Sequence, residues 1–472
     1  MTALAANLFP ALTAGLLLIG LLGPGPLTPA RLCLAFGGGY VIGAPLTGVL
    51  GWLTLLLPWQ ATPIPAAAGL LAVAAGGAVL ALRRPQGIEA APPVTLRPMA
   101  RAAWWLLLAL LLLGLALAAA EAMTRPIYPW DAWSAWSVKT RVWLELGPHV
   151  DFVSVIQWLT DRAPDQYTSE AWGYPELIPR FQLWVLWWQG AWTDATALSP
   201  WLFAGAAMLA FAYGVVRELG GSPIAAMAIA FVIGSIPILN VQVALPGMMD
   251  LWLAGQLMAF CGFTLLWLTR RELRWLALAL ACLAAAAGTK LEGLVWALFC
   301  LPVLIMSATD ARLRLGFLAL VALASVLWLA MGGFDLTVLG DIRFAITPEE
   351  IAMPYLGVFR IDYSSQWPAF GKTFLALPNW HLVGYLLLPA CAWAIWRFRD
   401  QPEGRGLATF AVMGLGFLFV LFFLTHAAIW AQSATASNRL ALHFVPGCLL
   451  WCGLLLARDL ATEGSAAAAA SG

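Results

Sequence analysis

The chain has 472 residues, of which 62% are hydrophobic and only 10% charged. A soluble domain carries roughly 25% charged residues, so this composition excludes an ordinary soluble protein and points to a lipid bilayer. The formal net charge of +1 supplies no basic field for nucleic acid.

A membrane crossing takes about 20 apolar residues per helix, and backbone polarity restricts spanning segments to helices or closed barrels. The apolar runs are long and rich in Leu and Ala, as in LLLALLLLGLALAAA from Leu106, without the period-two alternation of a barrel strand. The predicted fold is all-α, a polytopic transmembrane bundle of about thirteen crossings. They fall near residues 8–24, 32–57, 64–82, 103–120, 200–216, 223–240, 250–269, 275–289, 291–308, 314–332, 380–396, 406–425 and 440–457. The first residues lack the basic start of a secretory signal, so the first run reads as a retained helix. Cys33, Cys261, Cys282, Cys300, Cys391, Cys448 and Cys452 all lie in apolar runs without metal-ligand spacing, and read as small buried hydrophobes. The C-terminal TEGSAAAAASG is low-complexity and reads as disordered.

Lys and Arg in short loops set orientation. The 83–102 loop with Arg83, Arg84, Arg97 and Arg101, and the segments with Arg217, Arg270, Arg271, Arg274, Arg312, Arg314, Arg397, Arg399 and Arg405, are expected on the cytoplasmic side. These assignments agree only when the Trp-rich stretch 178–193 does not cross. It then lies re-entrant or in the interface, where Trp is favoured. Fifteen of the 25 Lys/Arg then lie inside, against 8 of the 24 Asp/Glu, and all four histidines lie outside. The exterior face carries long loops at 121–199 and 333–379 and a shorter one at 426–439. Residues 1–102 read as accessory helices, 103–332 as the core and 380–472 as the closing helices and tail. The long 333–379 loop is expected to cover a cavity, with Tyr355, Phe359, Tyr363 and Trp367 as its aromatic surface.

Chemistry-capable residues gather on that face. In YPWDAWSAWSVK, Trp133, Trp136 and Trp143 have helical spacing and predict an interfacial helix with Lys139 and Arg141 as polar partners. Asp131 at its start suits a helix cap. Walled by Trp130 and Trp133, it also suits a general base, because desolvation raises a carboxylate's proton affinity. Tyr174 and Glu176 stand in GYPELIP where the loop returns to the membrane. Asp250 ends PGMMD at the head of an apolar span, a depth where an ionisable residue is a functional candidate. Lys290 and Glu292 form the GTKLEG hairpin between two short spans, and Arg439 and His443 share a face of the last helix at i, i+4. The cations suit an anionic headgroup. Asp131, Asp250 and Glu176 suit a divalent cation such as Mg or Mn by hard oxygen ligands, although no DxD spacing is present.

The order of YPWDAWSAWSVK, GYPELIP, PGMMD and GTKLEG resembles the GT-C superfamily of membrane glycosyltransferases, nearest the branch of protein O-mannosyltransferases and lipid A aminoarabinose transferases. The resemblance covers about residues 103–310; the last four spans fit in general layout. Three spans precede the usual first helix, WDAW replaces a paired acidic motif, and no periplasmic domain follows. The resemblance implies transfer of a sugar from a polyprenyl-phosphate carrier to a glycan, lipid or protein hydroxyl. It also implies a site on the non-cytoplasmic face, in the periplasm if the membrane is a bacterial inner membrane, with Asp131 as the catalytic carboxylate and Asp250 as the second acidic residue. Glu176, Lys290, Glu292, Arg439, His443, Lys139, Tyr174 and Trp133 are the expected substrate-binding set. The competing expectations are a flippase or transporter, which the scarcity of midplane charge disfavours, and a non-catalytic assembly factor.

Overall fold

The computed structural model describes residues 2–23, 25–56, 62–83, 96–338 and 342–471; Arg84, assigned above to the cytoplasmic side, falls outside them. Of the described residues, 76% are helical. In order the helices are α1 (Ala3–Leu22), α2 (Pro29–Leu53), α3 (Ile64–Leu82), α4 (Pro98–Thr124), α5 (Ser137–Leu146), α6 (Val155–Thr160), α7 (Leu177–Gln189), α8 (Asp194–Glu218), α9 (Pro223–Gly234), α10 (Pro237–Ala244), α11 (Asp250–Arg270), α12 (Leu273–Thr289), α13 (Leu291–Met306), α14 (Ala311–Met331), α15 (Trp367–Gly371), α16 (His381–Arg397), α17 (Pro402–Phe423), α18 (Ala428–Gln432) and α19 (Thr435–Ser471).

Among the described residues, nine helices are long and apolar enough to cross a membrane, and up to eleven if each of two bent pairs makes one span. Pro223–Gly234 and Pro237–Ala244 bend by 68°, and Trp367–Ala376 and His381–Arg397 by 111°. Thirteen crossings require α12 and α13 as well (11 + 2). With 17 and 16 residues these reach about 25 Å at 1.5 Å per residue, short of the roughly 30 Å hydrocarbon core. The stretch 178–193 forms the 13-residue α7, too short to span. The hub is α11, buried over 94% of its apolar window, whereas none of that window in α14 is buried. An apolar helix with no protein cover suits lipid on all sides.

Polar groups segregate to the two ends of the bundle. One end holds the ion pairs Arg31–Glu218 (3.3 Å), Arg397–Asp459 (2.9 Å) and Arg458–Glu403 (3.6 Å). The loops between α4 and α8, and the α12–α13 turn, lie at the other.

Three expectations need correction. The fold is not all-α. Asp151–Val153 (β1) pairs in parallel with Gln166–Thr168 (β2), and Phe334–Val338 (β3), Ile342–Ile346 (β4), Glu350–Met353 (β5) and Gly357–Arg360 (β6) form an antiparallel meander. The alternating apolar and polar residues of FDLTV suit a two-faced strand. The C-terminal segment is not disordered, because α19 continues to Ser471. Trp133, Trp136 and Trp143 do not share a face. Residues Ala132–Trp136 form a π-helical turn before α5, which changes the register; Trp136 and Trp143 are buried while Trp133 is 46% exposed.

The α12–α13 hairpin depends on Gly293. Lys290 is extended (φ −155°, ψ 152°) and breaks the helix, and the Gly293 N–H donates to the Lys290 carbonyl at 2.8 Å. A Cβ at Gly293 would lie 1.8 Å from the Ala286 carbonyl oxygen. Gly293→Ala is therefore expected to force the hairpin open and cost about 1–3 kcal/mol, the overpacking range, toward its upper end because the obstacle is backbone. The melting temperature in lipid nanodiscs reads this; an unchanged value would contradict the tight hairpin.

Candidate active site

Four separated pieces of sequence build one polar cluster. The PGMMD turn places Asp250 in the first turn of α11, where a carboxylate matches the positive end of the helix dipole. Gly247 makes the turn possible: its φ is 115°, and a Cβ there would meet Ala132 Cβ at 2.4 Å, so glycine lets this loop close against the residue next to Asp131. Asp250 is wholly buried. Its Oδ1 accepts from Lys290 Nζ (3.0 Å) and His443 Nε2 (2.8 Å), and its Oδ2 from Arg439 Nε (2.9 Å). Arg439 Nη2 reaches Asp131 Oδ2 at 2.7 Å. Lys290 Nζ also meets Glu292 Oε1 at 2.8 Å. One guanidinium thus joins both aspartates, and one ammonium joins Asp250 to Glu292.

His443 is wholly buried and fixed from both sides. Trp296 Nε1 donates to its Nδ1 at 3.0 Å, and indole is a donor only. The imidazole proton therefore sits on Nε2 and is donated to Asp250, an assignment made from the hydrogen-bond network.

Beside this cluster lies a cavity of about 910 Å³. Asp131, Glu170, Tyr174, Lys290, Glu292 and Arg439 line its polar part. Val295 and Phe299 of α13 and Met413, Phe417, Val420 and Leu421 of α17 line its apolar part. Ile346, Ile351, Met353, Leu356 and Phe359 of the meander cover it. Of the four aromatics expected to form that surface, Phe359 lines the cavity. Tyr355 instead packs edge-on against Trp172 at 5.7 Å, Trp367 packs on Phe423 at 4.7 Å, and Tyr363 is 66% exposed.

Several expected site residues stand elsewhere. Asp250 does not line the cavity; it is the buried anchor of the two cations. His443 holds Asp250 and does not reach a ligand. Asp131 makes no side-chain cap, because its carboxylate is turned to Arg439. Nor is it walled by tryptophan: Trp130 and Trp133 stack edge-to-face on each other at 4.4 Å and are about half exposed. Trp133 does not line the cavity.

Lys139 is fully buried and donates to the carbonyls of Trp172 (3.3 Å) and Tyr174 (3.1 Å). It also lies 3.7 Å from Glu176. Burial lowers its pKa to about 8, against the opposing pull of Glu176. Glu176 bonds Arg180 Nη2 at 3.0 Å, and Arg180 stacks 3.6 Å over Trp143. Lys139 and Glu176 therefore shape the loop that presents Glu170 and Tyr174, and do not touch a cavity ligand. Burial raises the Tyr174 phenol to about 12, with Glu292 adding to the shift, so it stays protonated at neutral pH. The divalent-cation set does not assemble: Asp131 and Asp250 share Arg439, and Glu176 is taken by Arg180. Among the described residues no group of three or more His, Cys, Asp or Glu is placed to hold a metal ion.

Two contributors escaped sequence reasoning. Glu170 lines the cavity mouth, its Oε2 bonded by Trp130 Nε1 (2.8 Å) and Ser134 Oγ (2.9 Å). Trp296 fixes the histidine tautomer. Neither carries a local signal, since each acquires its role from a partner 36 to 147 residues away.

Compared with known protein families, curated proteins and solved structures, the chain matches none.

Proposed function

We propose that the protein is a membrane glycosyltransferase of the GT-C type, moving a sugar from a polyprenyl-phosphate donor to an acceptor hydroxyl on the non-cytoplasmic face. The observation that carries this reading is the amphipathic cavity. An ammonium and a guanidinium stand beside a reachable carboxylate at one part, and helices α13 and α17 offer an apolar wall for a prenyl chain. The Arg-rich opposite end favours an exterior site under the positive-inside rule.

In the proposed reaction the donor phosphate lies against Lys290 and Arg439. Arg439 Nη2 is bonded to Asp131, so a phosphate that takes up this Nη2 releases the Asp131 carboxylate. Asp131 then accepts the acceptor's O–H proton, and the oxygen attacks the anomeric carbon. The bond from that carbon to the phosphate oxygen breaks, and its electron pair leaves with the polyprenyl phosphate. The departing phosphate needs charge stabilisation, which preorganised cations supply. Asp250, held by His443, keeps both cations in place. The test is to give the purified protein in nanodiscs a polyprenyl phosphate carrying a radiolabelled sugar, together with a membrane extract as acceptor. Sugar leaving the carrier only with active protein is the expected result. Movement of the intact lipid across the bilayer without cleavage would overturn the enzyme reading in favour of a flippase.

A further inference from the structure

Most buried polar side-chain atoms are hydrogen-bonded, so unpaired ones in a cavity wall mark places where a ligand completes the bonding. Two residues that line the same cavity each carry such an atom. Glu292 is held on Oε1 by Lys290, but its Oε2 is buried and has no partner; it is the one carboxylate oxygen in that condition among the described residues. Trp136 is 3% exposed, and its indole Nε1–H is also buried without a partner. Both residues line the cavity. Trp136 packs edge-on against Tyr174 at 5.3 Å, and Glu292 sits in the first turn of α13.

The two orphans are complementary in kind. Glu292 Oε2 accepts only, and the indole donates only. Phosphate oxygens suit the indole but not a carboxylate, and a prenyl chain suits neither. A hydroxyl both donates and accepts, so a polyhydroxylated ring satisfies both. We infer that Glu292 and Trp136 form a sugar-recognition subsite that reads hydroxyl groups of the transferred glycosyl unit, apart from the cations that take the phosphate. The inference rests on the glycosyltransferase reading and deepens it: the donor sugar must present a free hydroxyl toward Glu292.

The experiment compares two lipids, a polyprenyl phosphate and the same carrier bearing a hexose, by native mass spectrometry of the full chain in nanodiscs. Glu292→Gln keeps an oxygen for Lys290 and puts an amide N–H₂ in place of the unpaired acceptor. Affinity for the sugar-bearing lipid should fall about tenfold or more, the loss of a hydrogen bond to a charged group. Trp136→Phe should weaken it roughly two- to tenfold. Trp136→Phe should bind the bare polyprenyl phosphate as the wild type does, and Glu292→Gln, which removes a negative charge beside Lys290, should bind it at least as tightly. Equal weakening toward both lipids would make the residues structural and overturn the subsite, as would undiminished sugar-lipid binding in two folded variants. Failure of the wild type to bind the bare polyprenyl phosphate would overturn the donor assignment on which the inference rests, a separate outcome.

Discussion

Asp131→Asn is expected to lower sugar transfer by about two to four orders of magnitude, the usual contribution of a general base. That is roughly 3–5 kcal/mol of barrier at 1.36 kcal/mol per decade. The fold should survive. Asp131 caps no helix, so the cost of about 1 kcal/mol for a lost cap does not arise. Its ion pair with Arg439 is partly solvated, with side-chain exposures of 33% and 21%, and such pairs contribute at most about 1 kcal/mol. Arg439 also keeps its bond to Asp250. Turnover and melting temperature should therefore separate cleanly in this variant. Near-wild-type turnover would remove Asp131 as the base and move attention to Glu170, a cavity-lining carboxylate that, unlike Asp131, forms no ion pair among the described residues.

Asp250→Ala is expected to act in the opposite order, on stability first. The residue is wholly buried and accepts from a lysine, an arginine and a histidine. Removing one partner from a buried charge network costs about 3–5 kcal/mol, because the remaining charges stay desolvated. Here Lys290 would keep Glu292 and Arg439 would keep Asp131, while the Nε2–H of His443 would be left without its acceptor. The melting temperature should drop sharply, with transfer lost alongside it. Asp250→Asn retains an oxygen for one or two of the three donors and should fall between. A stable Asp250→Ala protein that had lost transfer alone would instead give Asp250 a direct role in the chemistry, contrary to its burial.

These two carboxylates show what could and could not be read from the chain. Long apolar runs are local signals, and the segments read from them fall on helices, although 223–240 is broken into two helices bent by 68° and nine to eleven spans among the described residues, rather than thirteen, meet the length of a crossing. The same runs placed Asp131, Lys290 and Arg439 at one end of the bundle, because charge cannot stay at the bilayer core and each lies at a span boundary. Burial was not legible. Asp131 and Asp250 look alike in sequence, each following a proline-containing turn at the head of a helix. Only the close approach of Gly247 to Ala132, and the arrival of α19 from 189 residues away, makes one an anchor and the other a wall of the cavity. Lys139 and Glu176 looked like ligands because they are polar residues on the working face. They turn inward because carbonyls of the returning loop and Arg180 satisfy them there. Glu170, six residues before Glu176, takes the cavity position instead.

The meander at 334–360 was hidden for a related reason. Short strands gain stability from pairing and from the surface they cover, and their alternation is easily lost among prolines and charges in a long loop. Composition and run length by themselves determined that this is a helical membrane protein, because transfer of apolar residues from water to lipid depends on the residues alone. Which carboxylate lines the cavity, which histidine nitrogen carries the proton, and which buried atoms are left unpaired were decided only by tertiary packing, because those properties belong to pairs of residues far apart in the chain.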